Sequence, residues 1–338
     1  MIYIESKLKD AAFNIAAEEY ITVFFKRSVF MLWQTEKCVI IGRNQIAAAE
    51  IDLREAELSG VNIVRRTSGG GAVFSDAGNI MYTLSTGFKE SDDPKKIERE
   101  LFAEPMARAL NKMGVPAVVS GRNDIVLNGR KISGLAQYAK KDRLCTHGSL
   151  LYDTDLTLLS KLLKPDPEKI NSKALKSVRS RVVNIREYLE ETQKNQDFLS
   201  VTDFIERLKI NLFSEFEIDS EIINYEFSES DIKRINIIKD EKYANQSWTN
   251  GTTPRFSVRE SKRFPAGKLD IFLDSELGVI KSCGIFGDFL GVLPVGELEK
   301  KLAGQPYDYN FISGLLSGIN LRLYLGDIKR EEFLECLF

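Results

Sequence analysis

The dipeptide Asn128-Gly129 in the stretch GRNDIVLNGRKISG, residues 121–134, constrains the fold more than any other feature of the chain. Asn-Gly between two alternating apolar segments predicts a two-residue β-hairpin turn, because both central residues must adopt a positive φ. Pairing across this turn places Asp124 opposite Ser133. Since successive side chains point to opposite faces of a strand, the hairpin has one polar and one apolar face. The polar face carries Asp124, Val126, Lys131 and Ser133, and the apolar face carries Ile125, Leu127 and Ile132.

The polar face of this hairpin has two interpretations. It is either a solvated sheet surface, where an Asp124–Lys131 ion pair contributes at most roughly 1 kcal/mol, or a surface that contacts a ligand. The hairpin alone favours the first interpretation. Gly121 and Gly134, at the outer ends of the two arms, favour the second, because a glycine in a strand often marks the close approach of a ligand or another backbone.

The stretch VRRTSGGGAVFSDAGN, residues 64–79, places a glycine loop, Ser68 to Gly71, directly after a predicted strand. Three consecutive glycines lose backbone entropy on folding and add nothing to a core, whereas their exposed N–H groups can bind an anion. Arg65 and Arg66 precede the loop, and a guanidinium suits phosphate or carboxylate. The alternative is a flexible turn with surface arginines. Since the spacing of a P-loop or a dinucleotide fingerprint is absent, the stretch predicts an anion-binding loop of unspecified ligand.

The composition limits the partners and the chemistry. A formal net charge of −2 argues against nonspecific binding to nucleic acid or anionic membranes. The chain has neither a membrane-spanning run of roughly 18 apolar residues nor a signal-peptide pattern at its start, so we expect a cytoplasmic protein. Four scattered cysteines predict reduced thiols, with Cys145 a plain buried or semi-exposed thiol. The single histidine, His147, excludes a multi-histidine metal site and a histidine-based triad anywhere else; we expect it to be structural, bonded to a neighbouring carbonyl.

Helices and strands that mix without strict alternation predict an α+β fold. The spacing of apolar residues predicts helices at 13–27, 93–114, 202–214 and 230–239. A length of 338 residues suffices for two domains. The polar stretch 239–254 predicts their boundary, which gives domains of residues 1–245 and 246–338. The basic stretch 173–181 is either a solvated loop or a lid.

Several motifs, in the same order and at similar separations, resemble the lipoate–protein ligase A family of the biotin/lipoate protein ligase superfamily. They are RRTSGGGAVFSDAGN, SGRNDIVLNGRKISG, THGSLLYDTDL and SKALKSVRSRVVNI, and RFPAGKLDIFLDSELGVIKSCGIFGDF is similar to the family's C-terminal domain. The resemblance implies a large mixed-sheet catalytic domain and a small α+β accessory domain. It also implies an acyl-adenylating ligase. Lipoate and ATP give lipoyl-AMP and pyrophosphate, and a lysine of an acceptor domain then takes the lipoyl group and releases AMP.

The resemblance also implies roles for individual residues. Lys131 matches the catalytic lysine that touches both lipoate and nucleotide, and we expect Asp124 to orient Lys131 or to bind Mg²⁺. Positions that match the ATP and adenylate site are Arg66, Gly71, Ala72, Val73, Phe74, Asn79, Asn123, Asp124 and Lys131. Positions that match the lipoate slot are Ser68, Gly69, Gly70, Lys131, Gly134, Ala136, His147 and Ser149.

The sequence leaves alternatives open for both the acceptor protein and the activity. The implied acceptors are lipoyl domains of 2-oxoacid dehydrogenase complexes and the glycine-cleavage H protein. Ser75-Asp76 stands where the family usually has His-Asp, and Thr146-His147 where some members have two histidines. The Ser75 departure supports a noncatalytic lipoate-binding partner. A nucleophilic Cys145 would instead indicate an ATP-independent octanoyl or lipoyl transferase, although such transferases usually lack the C-terminal domain.

Overall fold

The computed structural model describes residues 1–164, 181–192, 200–216, 222–250 and 258–338. The basic stretch 173–181, apart from Arg181, lies outside these ranges. Strands β1 to β14 are, in chain order, Ile2–Glu5, Val29–Trp33, Cys38–Ile41, Asn62–Arg65, Val73–Ser75, Asn79–Gly87, Ala117–Ser120, Asp124–Leu127, Arg130–Lys140, Arg143–Leu151, Ile223–Asn224, Val258–Phe264, Gly267–Glu276 and Val279–Gly287. Helices α1 to α14 are Ala11–Phe24, Ala47–Glu50, Leu53–Leu58, Pro94–Glu98, Glu104–Lys112, Leu156–Leu162, Ile185–Thr192, Val201–Phe213, Glu229–Ile238, Gln246–Asn250, Gly296–Leu302, Tyr309–Ser317, Leu321–Leu325 and Arg330–Leu337.

In the described ranges, a mixed sheet of eight strands has the order β11-β1-β2-β6-β10-β9-β8-β7. The pairs β11–β1 and β1–β2 are parallel and the others are antiparallel. A second sheet has the order β4-β3-β5, and a third, antiparallel sheet is formed by β12, β13 and β14. The predicted α+β class, with a large mixed sheet and a small C-terminal α+β unit, is confirmed. None of the helices in these ranges combines the length and the apolar character that crossing a membrane requires.

The central strands β2, β6 and β10 of the main sheet are buried on both faces, and the alternating side chains of β2 contribute to two separate cores. On β2, Phe30 and Leu32 pack with residues of α5 and α8 on one face, whereas Met31 and Trp33 pack with α1 on the other. The side chain of Asp10 caps α1 by accepting hydrogen bonds from the next helical N–H groups. Twelve of the fourteen residues of α1 are buried, so this helix forms a second layer over the sheet.

The hairpin turn is confirmed, and its register is only partly as predicted. Asn128 has a φ of 50° and Gly129 a φ of 75°. A β-bulge shifts the register beyond Val126, so that Asp124 pairs with Gly134 instead of Ser133. The extra residue turns the Ser133 side chain into the core, where its hydroxyl bonds that of Tyr82 at 2.7 Å. The prediction that Ser133 shares the open face was therefore wrong, because an alternating pattern cannot reveal an inserted residue.

The stretch predicted as a polar linker contains a π-helical turn, Lys239–Tyr243, and the short helix α10. Trp248 of α10 donates its indole N–H to the carbonyl oxygen of Arg65 at 2.8 Å. Beyond it, α11 to α14 cover the third sheet, and Phe88 and Leu144 from the first part of the chain pack into the same apolar cluster. The C-terminal unit therefore packs through apolar contacts against Phe88, which follows β6, and against Leu144 of β10.

Candidate active site

One cavity of about 600 Å³, its open mouth included, lies between α1, the main sheet and the glycine loop. Eleven of the residues predicted for the site line it: Arg66, Gly70, Gly71, Ala72, Val73, Asn123, Lys131, Gly134, Ala136, His147 and Ser149. Sequence reasoning missed seven further lining residues: Ile15, Glu18, Trp33, Ile40, Met81, Leu135 and Gly148. The structure therefore brings the hairpin lysine and the glycine loop to one cavity, as the motifs predict.

Lys131 lies at the end of this cavity nearest the hairpin. Its Nζ is 2.7 Å from Oδ1 of Asp124, and the two side chains are 38% and 36% exposed. A pair this exposed contributes little to stability. Gly134 makes room for the amine, since a Cβ at that position would lie 2.6 Å from Nζ of Lys131.

Arg65 and Arg66 are buried, at 4% and 6% exposure, so the surface interpretation of these arginines was wrong. Arg66 donates to Oγ of Ser68 at 2.9 Å and to the carbonyl oxygens of Gly69 and Gly71 at 2.6 and 2.8 Å. It also donates to a carbonyl of β3, and Arg65 binds five backbone carbonyl oxygens. Burial lowers the pKa of each guanidinium to about 10. Both arginines thus hold main chain in place, and each of their guanidinium nitrogens already donates at least one hydrogen bond.

The path of the glycine loop depends on two close approaches. Gly70 has a φ of 86°, which a residue with a Cβ rarely adopts. A Cβ on Gly42 would lie 2.0 Å from the carbonyl oxygen of Gly70. The amide of Gly70 donates to the carbonyl of Phe289, which belongs to the C-terminal unit, at 3.1 Å. The loop is therefore held from both parts of the chain.

His147 is not bonded to a neighbouring carbonyl, so that prediction was wrong. Its Nδ1 is 2.9 Å from Oε2 of Glu18, and its Nε2 is 2.6 Å from Oγ of Ser68. This Ser–His–carboxylate order resembles a hydrolase triad. Ser68, however, is 1% exposed and is not among the residues that line the cavity. The arrangement therefore fixes the imidazole and does not present a nucleophile to a substrate.

Cys145 is fully buried, and burial raises the pKa of its thiol well above the ordinary value. It does not line the cavity either. Because the thiolate is the nucleophilic form, this position is unsuited to covalent acyl transfer. The ligand atoms of Glu18, Cys145 and His147 lie within 4.8 Å of one another, but both imidazole nitrogens already have hydrogen-bond partners, which makes a polar cluster the better description than a metal site.

Five predicted residues are not among those that line the cavity: Ser68, Gly69, Phe74, Asn79 and Asp124. Phe74 is fully buried in the core of the small sheet, and Asn79 donates to its carbonyl at 3.3 Å. Ser75, where the family pattern has histidine, bonds Thr35 at 2.8 Å in the protein interior. The departure at Ser75 thus leaves the composition of the cavity unchanged.

Glu18 is the most informative residue that sequence reasoning missed. It stands in α1, at 1% exposure, in the stretch AAEEY. Two adjacent carboxylates in the middle of an otherwise buried helix were a signal, since an ionised glutamate is rarely buried without partners. Its partners come from β6 and β10, which no local pattern could identify.

Comparisons with known proteins agree with this geometry. Residues 10–212 match the model of the lipoyl protein ligase A/B catalytic domain, and residues 253–337 match that of the bacterial lipoate protein ligase C-terminus. The chain is 37% identical to the lipoate-protein ligase LplJ of Bacillus subtilis over the full length of both. A P. falciparum LipL1 structure in complex with lipoate has a TM-score of 0.76 at 22% identity, covering 99% of this chain and 97% of that one. A bipartite lipoate protein ligase from Thermoplasma acidophilum, studied with its E2 lipoyl domain, has a TM-score of 0.62 at 25% identity, covering 76% and 98%. The chain therefore belongs to the lipoate–protein ligase family and is an enzyme of the ligase class.

Proposed function

We propose that this ligase activates lipoate with ATP to lipoyl-AMP and pyrophosphate and then transfers the lipoyl group to a lysine of an acceptor protein. The observation that carries the proposal is the position of Lys131. Its ammonium group stands in the cavity that also contains Gly70 and Gly71, so one cation faces the space between an apolar slot and a main-chain loop. Such a cation can stabilise two anionic reactants as they approach each other.

The apolar slot runs across the strands of the main sheet. Trp33, Met81, Ser149 and Gly134 are paired in sequence on β2, β6, β10 and β9, and all four line the cavity. Three strand spacings correspond to roughly 14 Å, which accommodates an extended eight-carbon acyl chain. We place the lipoate carboxylate at Lys131 and the tail over Met81 towards Trp33. Ile15 of α1 and Leu135 of β9 complete the apolar lining.

In the first step, a carboxylate oxygen attacks the α-phosphorus, and the bond to pyrophosphate breaks. Lys131 stands between the two oxyanions as a compact cation, and Asp124 orients its amine. Because every guanidinium nitrogen of Arg66 already donates to the loop or to β3, we assign the phosphate contacts to Lys131, Asn123 and the backbone of Gly71 to Val73. In the second step, the neutral amine of the acceptor lysine attacks the acyl carbon, AMP leaves, and the amine loses a proton.

Mg²⁺ fits this site through Asp124 together with nucleotide phosphates. Oδ1 of Asp124 is buried and faces Lys131, so the second carboxylate oxygen is the one that we assign to the ion. Mg²⁺ is commonly bound by one or two carboxylates and substrate phosphates. When bound, it would neutralise charge on the phosphates.

The acceptors that we propose are lipoyl domains of 2-oxoacid dehydrogenase complexes and the glycine-cleavage H protein, and the location is the cytoplasm. We also propose that residues 1–245 form the catalytic domain and residues 246–338 the accessory domain. The transferase alternative is weakened by the burial of Cys145. The noncatalytic alternative is weakened because Ser75 is not among the residues that line the cavity.

Lipoate-dependent exchange of pyrophosphate into ATP tests the adenylation step directly. We expect Lys131→Ala to lower the exchange rate by about 10²–10³, as for the loss of one oxyanion donor. Lys7→Ala, which removes an exposed amine paired with Glu226, is the control and should exchange normally. Undiminished exchange by Lys131→Ala would contradict the role. Lipoyl transfer without ATP would support the transferase, and tight lipoate binding without pyrophosphate release would support the noncatalytic partner.

A further inference from the structure

A continuous series of hydrogen bonds, called here the relay, connects the slot wall to the glycine loop. It begins at Arg66, whose Nε donates to Oγ of Ser68 at 2.9 Å. Ser68 and His147 are 2.6 Å apart, and His147 and Glu18 are 2.9 Å apart. Thr83 donates to the other oxygen of Glu18 and in turn accepts a hydrogen bond from Trp33 at 3.1 Å.

The relay has a direction. The hydroxyl of Ser68 accepts from Arg66, so its own hydrogen is available to Nε2 of His147 at 2.6 Å; its other acceptor, the carbonyl of Gly69, is 3.5 Å away. With Nε2 as the acceptor, we assign the ring proton to Nδ1, where it faces the carboxylate of Glu18. Glu18 is therefore the final acceptor, and it receives a second hydrogen bond from Thr83.

Two members of the relay, Arg66 and Glu18, carry opposite charges in a buried region. Arg66 and Glu18 are 6% and 1% exposed. The negative charge of Glu18 counteracts the lowering of the pKa of Arg66 by burial. Because a buried charge is costly unless it is compensated, the carboxylate on α1 stabilises the guanidinium that binds the carbonyls of Gly69 and Gly71.

We propose that Glu18 is a positioning residue that sets the shape of the glycine loop from the opposite wall of the cavity and so couples the acyl slot to the nucleotide end. The inference depends on the proposed function, because it takes the two ends of the cavity to hold lipoate and ATP. Glu18 and Trp33 line the slot, so a bound tail contacts the relay directly. By linkage, each substrate then changes the affinity for the other by the same factor.

The test measures binding of a nonhydrolysable ATP analogue and of lipoate, each alone and together, to the full chain by calorimetry. Ser68→Ala interrupts the relay without changing a residue that lines the cavity. We expect it to keep lipoate affinity, to weaken the affinity for the ATP analogue about tenfold, and to reduce the coupling between the two ligands towards none; couplings of roughly 5–150-fold are typical. Ser85→Ala is the matched control, since Ser85 of β6 is buried like Ser68 but bonds Arg143 outside the relay.

A spectroscopic measurement keeps the proposal testable whatever the variants do to folding. His147 is the only histidine of the chain, so its imidazole ¹⁵N shifts report a single residue. We expect protonated Nδ1 and unprotonated Nε2 in the wild type, and the reversed tautomer in Glu18→Gln. A wild-type imidazole protonated at Nε2, or an unchanged affinity for the ATP analogue in both Ser68→Ala and Glu18→Gln, would overturn the relay. Because neither measurement involves turnover, failure of the ligase function appears separately, in the exchange assay.

Discussion

Gly134→Ala should reduce catalysis while leaving the fold intact. The added Cβ would lie 2.6 Å from Nζ and 2.8 Å from Cε of Lys131, so the amine has to move by roughly 1 Å to reach a normal contact distance. Gly134 is an interior residue of β9, paired with Ser149 and Asp124, and its φ is not in the left-handed region. An alanine is therefore compatible with the backbone, and a compatible Gly→Ala change stabilises a protein by roughly 0.4–1 kcal/mol.

The substitution should slow the reaction, because a misplacement of a catalytic group by roughly 1 Å can lower a rate about 10²-fold. We expect lipoate-dependent pyrophosphate exchange to fall by about that factor, and the Tm to stay unchanged or to rise by a few degrees. Gly87→Ala is the control, since Gly87 ends β6 and a Cβ there would meet open space. Normal exchange by Gly134→Ala would show that the position of the amine does not matter. A large fall in Tm would show that the effect arises from the fold instead.

Two further predictions concern stability and pH. Burial raises the pKa of Glu98 to about 7. The contribution of this carboxyl group to the free energy of unfolding is therefore present below pH 4.5 and is lost as the pH rises to about 7. In urea unfolding between pH 4.5 and 7.5, the free energy of unfolding of the wild type should fall by up to about 3 kcal/mol more than that of Glu98→Gln. If the free energies of the two proteins change in parallel with pH, the prediction is contradicted. Burial alone would raise the pKa of Glu19, but Lys242, Lys140 and Tyr243 lower it to about 2. The contribution of this carboxylate to the free energy of unfolding is therefore present above pH 4.5 and is lost as the pH falls below that value. Lys242→Ala should lower the free energy of unfolding by about 1–3 kcal/mol at pH 7 and by clearly less at pH 3, whereas an equal loss at both pH values would refute the pairing.

The parts of the site that the sequence could predict are local. The Asn128-Gly129 turn specifies its own backbone, and it brings Asp124 and Lys131 together whatever surrounds them. The three glycines after β4 likewise predict a loop whose backbone lies close to other groups. The register beyond Val126 could not be read, because no local pattern marks the bulge, and the partner of the inward-facing Ser133 is Tyr82, some fifty residues earlier in the chain.

The parts that could not be predicted depend on packing between distant segments. Trp33, Met81 and Ser149 form one row of the sheet only because β2, β6 and β10 are neighbours. Glu18 joins His147 only because α1 covers this part of the sheet. Arg65 is conspicuous in the sequence as a candidate anion ligand, but its five acceptors are carbonyls contributed by the turn after β3 and by α10. The sequence motifs therefore identified the types of group in the site, whereas the order of the strands and helices in space determines which partner each group contacts.

The strengths of the interactions explain why a lysine, and not an arginine, is available to the substrates. Displacing Arg66 from its loop would break hydrogen bonds to Ser68 and to three carbonyls and would leave buried polar atoms unpaired, at roughly 1–3 kcal/mol for each. Separating Lys131 from Asp124 breaks one ion pair between partly exposed side chains, at roughly 1 kcal/mol or less. The Lys131 amine can therefore turn towards an entering carboxylate or phosphate at small cost, while the loop keeps its shape. The weakness of the Lys131 pair is the property that suits it to catalysis, and the strength of the Arg66 contacts suits that residue to holding the loop.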